Sequence, residues 1–135
     1  MIQNNYTKRE FLKLLGTSSL GIFFMSFYSF DDFLDDDFLL LTKDDDKYEL
    51  YRKSFNKRIN KFPKYIAVCK TNDAVKKAIL FANDKQLKIA IRSGGHSFEG
   101  FSNNDNGLLI HLGLMKNITW QKDQTVKLQP ACLLQ

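Results

Sequence analysis

The chain has 135 residues, 44% of them hydrophobic and 13% aromatic, with a net charge of +5, enough for one modest domain with a real core. Two cysteines, Cys69 and Cys132, are too few for a disulfide framework. The lysines are scattered, without interleaved aromatics or a nucleic-acid motif, which argues against nucleic acid as a partner.

Residues 1–30 read as an export signal. Lys8, Arg9 and Lys13 form a basic start, and Leu14 to Phe30 is a 17-residue run without a charge. The stretch Thr7-Lys8-Arg9-Glu10-Phe11-Leu12-Lys13 resembles a twin-arginine motif with lysine in place of the first arginine. Three readings fit the segment: a cleaved signal, an uncleaved membrane anchor, and a buried core helix. The first is preferred, because the run is short for a full membrane span. No clean cleavage site follows it.

Residues 31–47 read as an acidic linker. Eight aspartates stand against Lys43 between positions 31 and 46, interspersed with Phe33, Leu34, Phe38, Leu39, Leu40 and Leu41. Consecutive carboxylates diverge and lack the spaced oxygens of a calcium loop, so a solvated linker is favoured over a metal site. The domain proper is expected over 48–135. Tyr48, Tyr51, Phe55 and Ile59 recur at helical intervals and predict an amphipathic helix ending near Asn60, ahead of Pro63.

Tyr65–Cys69 then reads as a strand, and Asn72–Ala82 as a helix capped by Thr71. Its apolar stripe runs through Ala74, Val75, Ala78, Ile79 and Ala82. Lys88–Ile91 is a second strand, completing a βαβ unit with a parallel strand pair. Further strands are expected at Gly107–Leu112 and in the segment running to Pro130. The fold class is therefore α+β.

The most informative stretch opens where the second strand ends: Arg92-Ser93-Gly94-Gly95-His96-Ser97-Phe98-Glu99-Gly100. Glycines without a Cβ let backbone N–H groups turn inward and approach anionic oxygens closely. Ligands of α/β sheets gather at the carboxyl ends of strands. A phosphate-binding loop and an ordinary surface turn both fit these residues taken alone. His111, alternating with Ile110 and Leu112, reads as a structural histidine.

The ordered blocks from Pro63 through VCKTNDAVKKAILFANDKQLKIAIRSGGHSFEGFS and GLLIHLGLMKNI to TVKLQPACL are similar to the start of a PCMH-type FAD-binding domain. They most resemble the berberine-bridge-enzyme-like FAD-linked oxidases of the vanillyl-alcohol-oxidase superfamily. The resemblance covers residues 48–135 and implies the first lobe of that domain, with FAD as cofactor. It implies that Arg92, Ser93, Gly94, Gly95, His96, Ser97, Gly100 and Ser102 contact FAD, and that His96 bonds covalently to the 8α-methyl carbon of the flavin. Imidazole suits that role because its neutral ring nitrogen is nucleophilic. Non-covalent contact and a purely structural turn histidine remain as alternatives.

Two positions depart from the family pattern. His111 stands where relatives often carry an acidic residue, and Ala131 where they usually have glycine. Neither cysteine matches the position of the second flavin bond known in some relatives.

The resemblance also implies an oxidase that takes hydride from an alcohol, a sugar or an alkaloid-like carbon and passes electrons to oxygen. No catalytic or metal-binding residue is assigned in this chain. It reads as an N-terminal piece of a longer exported enzyme, touching a membrane only through its first segment. Folding around FAD before export would suit a twin-arginine route. The alternatives are a non-catalytic fragment and a small exported or membrane-anchored interaction module.

Overall fold

The computed structural model describes residues 36–133. The expected export segment, residues 1–30, lies outside them. In chain order the elements are β1 (Phe38–Leu41), α1 (Tyr48–Arg52), β2 (Tyr65–Cys69), α2 (Asn72–Asp84), β3 (Ile89–Arg92), β4 (Leu108–His111), β5 (Ile118–Trp120) and β6 (Val126–Leu128). This is the mixed α+β arrangement expected. Among the described residues no helix is long and apolar enough to cross a membrane.

Four strands form one sheet in the order β1-β2-β4-β3. The β2-α2-β3 unit is present, but its two strands do not touch. β4 lies between them and runs parallel to both, placing Leu108 beside Tyr65 on one side and Ile89 on the other. The physical reason is burial. Leu108, Leu109 and Ile110 are each 0% exposed, and an uninterrupted apolar run is satisfied only at a central position with both faces covered. β3 alternates instead, with Ala90 and Arg92 inward and Ile89 and Ile91 outward, as suits an edge.

The stretch expected to be a solvated linker contains β1, which pairs antiparallel with β2 from Phe38 opposite Cys69 to Leu41 opposite Ile66. Phe38, Leu40 and Leu41 are buried. Burying such side chains is worth roughly 1.5–3 kcal/mol each, which outweighs the solvation preference of neighbours that can stay on turns. One such neighbour is Asp45, whose carboxylate accepts hydrogen bonds from the backbone N–H and hydroxyl of Thr42 at 2.7 and 2.9 Å. Those bonds hold its pKa below the usual carboxylate range.

The helix expected to reach Asn60 stops at Arg52. Lys53 turns extended, with ψ 133°, and the carbonyls of Arg52 and Lys53 accept from the Arg92 guanidinium at 3.1 and 3.2 Å. Long-range partners for the end carbonyls thus replace another helical turn. Phe55, on the expected apolar stripe, is 72% exposed.

The core lies on both faces of the sheet. On one, α2 packs Ala74, Ala78, Phe81 and Ala82 over Phe38, Leu40, Ala67, Cys69, Leu108 and Ile110. On the other, Tyr48 of α1 joins Leu41, Ile66, Val68, Ala90 and Leu109, and its hydroxyl donates to the Pro63 carbonyl at 2.7 Å. Burial pushes the Cys69 thiol up to about 12, so it serves as a small apolar residue. β5 and β6 form a separate antiparallel hairpin.

Candidate functional site

The glycine-rich loop leaves the carboxyl end of β3, at the edge of the four-stranded sheet. Among the described residues, none of the backbone N–H groups from Ser93 to Glu99 donates to a carbonyl or side chain, whereas those of Gly100, Phe101, Asn103 and Asn104 all do. A run of amides without internal acceptors is suited to an anionic ligand. Gly95 (φ 72°) and Gly100 (φ 74°) occupy the left-handed region, where a side chain would be strained.

His96 is exposed. Its ring folds over Gly94, with Nδ1 2.8 Å from where a Cβ on that residue would stand. The Phe55 ring lies beside it, centroids 6.2 Å apart. The Ser97 hydroxyl accepts from the Phe101 amide at 3.1 Å, closing the turn. Ser102 Oγ is buried without a hydrogen-bond partner. Such an orphan is costly unless a ligand satisfies it.

Arg92 sits differently from a surface ion pair or an exposed phosphate contact. It is 4% exposed, and its guanidinium donates to Arg52 O, Lys53 O and, at 3.4 Å, Ser54 Oγ. Burial lowers its pKa, though arginine stays charged in proteins. Among the described residues no carboxylate forms an ion pair with it. Its positive charge therefore stands where the loop begins, solvated by two carbonyls and a hydroxyl and paired with no carboxylate among the described residues. Gly100 is also buried, and a Cβ there would meet Ile59 Cγ2 at 2.7 Å.

His111 pairs across the sheet with Arg92. Burial, with the Arg92 charge adding to it, pushes its pKa down to about 4. Its Nδ1 accepts from the Gly113 amide at 3.2 Å, and its ring meets Tyr51 edge-on at 5.1 Å. These contacts hold the ring within the fold, in keeping with the structural reading of His111. The described residues contain no cluster able to hold a metal ion. Ala131 is buried and its amide donates to Met115 O at 3.0 Å.

The structure thus brings residues 92–102 into one loop. It also adds residues that sequence reasoning missed. Asn56 Nδ2 donates to Phe98 O at 3.0 Å, and Lys61 Nζ donates to Gly100 O and Asn103 O at 2.9 and 3.3 Å. Nothing in their local sequence marks them, because their partners lie about forty residues away. Hollows of about 540 to 570 Å³ on the surface are lined by other residues, such as Thr71 and Lys77, Lys43 and Asn106, or Tyr51 and Lys70.

Amides without internal acceptors, a buried arginine at their origin and an orphaned hydroxyl thus meet in one loop at the end of a parallel strand. The profile of the family described as FAD binding domain matches residues 63–135, more than half of the chain. The chain belongs to that family, as an FAD-binding domain of the berberine-bridge-like, PCMH-type FAD-linked oxidoreductases.

It is 35% identical over 75 residues to (R)-6-hydroxynicotine oxidase of Paenarthrobacter nicotinovorans, covering 56% of this chain and 16% of that protein. A chitooligosaccharide oxidase structure superposes with a TM-score of 0.64 at 29% identity, covering 70% of this chain and 20% of that one. Glucooligosaccharide oxidase from Acremonium strictum, described as carrying a 6-S-cysteinyl, 8α-N1-histidyl FAD, shares the fold with a TM-score of 0.64 at 22% identity, covering 70% and 20%. The chain spans about a fifth of the length of these proteins.

Proposed function

We propose that this chain supplies the diphosphate-holding loop and the flavin-linking histidine of an exported FAD-linked oxidase. The observation that carries the reading is the run of amides from Ser93 to Glu99 without an internal acceptor, ending a parallel strand and displaying an exposed His96. Ser93, Gly94, Gly95 and Ser97 would line the diphosphate with backbone N–H groups, Ser102 would offer its hydroxyl, and Arg92 would set the loop's origin and its charge. When bound, FAD accepts hydride and passes electrons onward. His96 would tether it through a ring nitrogen.

Names among the relatives, hydroxynicotine oxidase and oligosaccharide oxidases, support a substrate C–H bond in an alcohol, sugar or alkaloid-like compound, with oxygen as acceptor. These belong to the whole protein. The basic start at Lys8, Arg9 and Lys13 and the charge-free run Leu14–Phe30 support export, and cell fractionation decides it.

The test of the cofactor is direct. The full protein is supplied with FAD, precipitated with acid, washed, and its flavin absorbance read. Wild type is expected to keep acid-stable flavin, and His96→Ala to lose it entirely while retaining some reversibly bound FAD. Flavin that acid releases from wild type overturns the covalent tether. A wild type that takes up no flavin in any form overturns the proposal.

A further inference from the structure

We propose that residues 52–61 form a brace that sets the shape of the glycine-rich loop, with Asn56 and Lys61 as positioning residues for the FAD diphosphate. The diphosphate part rests on the reading above; the brace itself does not.

This segment precedes the region matched by the family profile and, beyond Arg52, is neither helix nor strand. It nevertheless reaches the loop at four separate points. At the origin, Arg92 Nη1 donates to the carbonyls of Arg52 and Lys53. At the tip, Asn56 Nδ2 donates to Phe98 O at 3.0 Å. On the return, Lys61 Nζ donates to Gly100 O at 2.9 Å, and Ile59 fills the space that a Cβ on Gly100 would need. At the exit, Lys61 Nζ also reaches Asn103 O, while Asn103 Nδ2 donates to Arg52 O at 3.1 Å.

The grip falls on Arg92, Phe98, Gly100 and Asn103, and the amides it leaves free are those from Ser93 to Glu99. A loop that must aim several donors at one anion cannot satisfy them internally, so its shape has to be imposed from outside. Preorganised donors bind more tightly because less freedom is lost on binding. Each of these ties runs through a side chain, so substitutions at Asn56 and Lys61 release the tip and the return of the loop separately.

The test uses the full chain as wild type, Asn56→Ala, Lys61→Met, their double variant, and Lys61→Arg, whose guanidinium can still donate to two carbonyls. Amide hydrogen exchange is read without FAD at Gly100, Phe101 and Asn103, whose N–H groups are bonded, and at β2 and β4 as reporters of the sheet. FAD affinity is read by quenching of flavin fluorescence with each of these chains carrying His96→Ala in addition, so that binding is reversible. The double variant is expected to exchange about tenfold faster at the three loop amides, with β2 and β4 unchanged. It is also expected to bind FAD about tenfold more weakly, because the loop donors are no longer preorganised. Lys61→Arg is expected to restore most of both.

Equal loop exchange in the double variant and wild type overturns the brace. Equal acceleration of loop and sheet overturns it too, by showing general loosening. A faster loop with unchanged FAD affinity overturns the positioning role. If the loop responds but wild type takes up no FAD, the brace stands and the flavin reading fails.

Discussion

Arg92 and His111 face each other across adjacent strands, and the arginine helps to set the state of the histidine. The guanidinium is buried and turned to the end of α1, and its charge adds to the burial that keeps the imidazole neutral. With a pKa about 4 folded and 6.5 as its ordinary value, the unfolded chain binds the proton more readily between those limits. His111 therefore takes nothing from stability above pH 6.5, and stability falls as the solution is acidified toward pH 4. Going from pH 7.5 to 5, denaturant titration should show a loss of about 1–2 kcal/mol from this residue. His111→Asn should flatten that dependence; an unchanged slope would remove the residue from the account. The role of His111 was legible from its alternation with apolar neighbours. The partners of Arg92 were not, because strand-end arginines look alike until the fold places carbonyls around one of them.

At the scale of elements, α2 shows how local signals and packing divide the work. Its start is written in the sequence: Thr71 accepts from the Ala74 amide at 3.2 Å, and Thr71→Ala should cost about 1 kcal/mol in thermal or denaturant unfolding. Which stripe faces the sheet is another matter. The expected stripe included Ile79, yet Ile79 is 46% exposed while Phe81 is 6% exposed and meets Tyr65 edge-on at 5.1 Å. Phe81→Ala should cost about 3–4 kcal/mol and Ile79→Ala less than about 1; the reverse ranking would mean that the helix sits rotated. A hydrophobic helix offers several stripes of similar merit, and the sheet surface chooses among them. α1 and β1 follow the same logic. Helical spacing ran on past Arg52, but carbonyl partners on a distant loop ended the helix. A four-residue apolar strand lay hidden between aspartates because periodicity is weak over so short a run.

At the scale of the whole fold, the four-stranded sheet is covered on both faces, whereas among the described residues the β5–β6 hairpin is not. Ile118, Trp120, Val126 and Leu128 share one face of it and are 40 to 77% exposed. Trp120 is the single tryptophan, so it reports on that face. Its emission in this chain should be that of a water-exposed indole and should be quenched freely by acrylamide, and a blue, protected spectrum would show that the face is covered. The βαβ unit, the helix cap at Thr71 and the loop at the end of β3 were determined by the sequence itself. They depend on residue type and spacing over short distances: apolar runs, an N-cap, paired glycines. Only the tertiary structure decided that β4 enters between β2 and β3, that β1 closes the other edge, and that Asn56 and Lys61 hold a loop some forty residues away. Such contacts join segments with no sequence relation to one another, and they are selected by which apolar surfaces and carbonyl groups come together once the chain is folded.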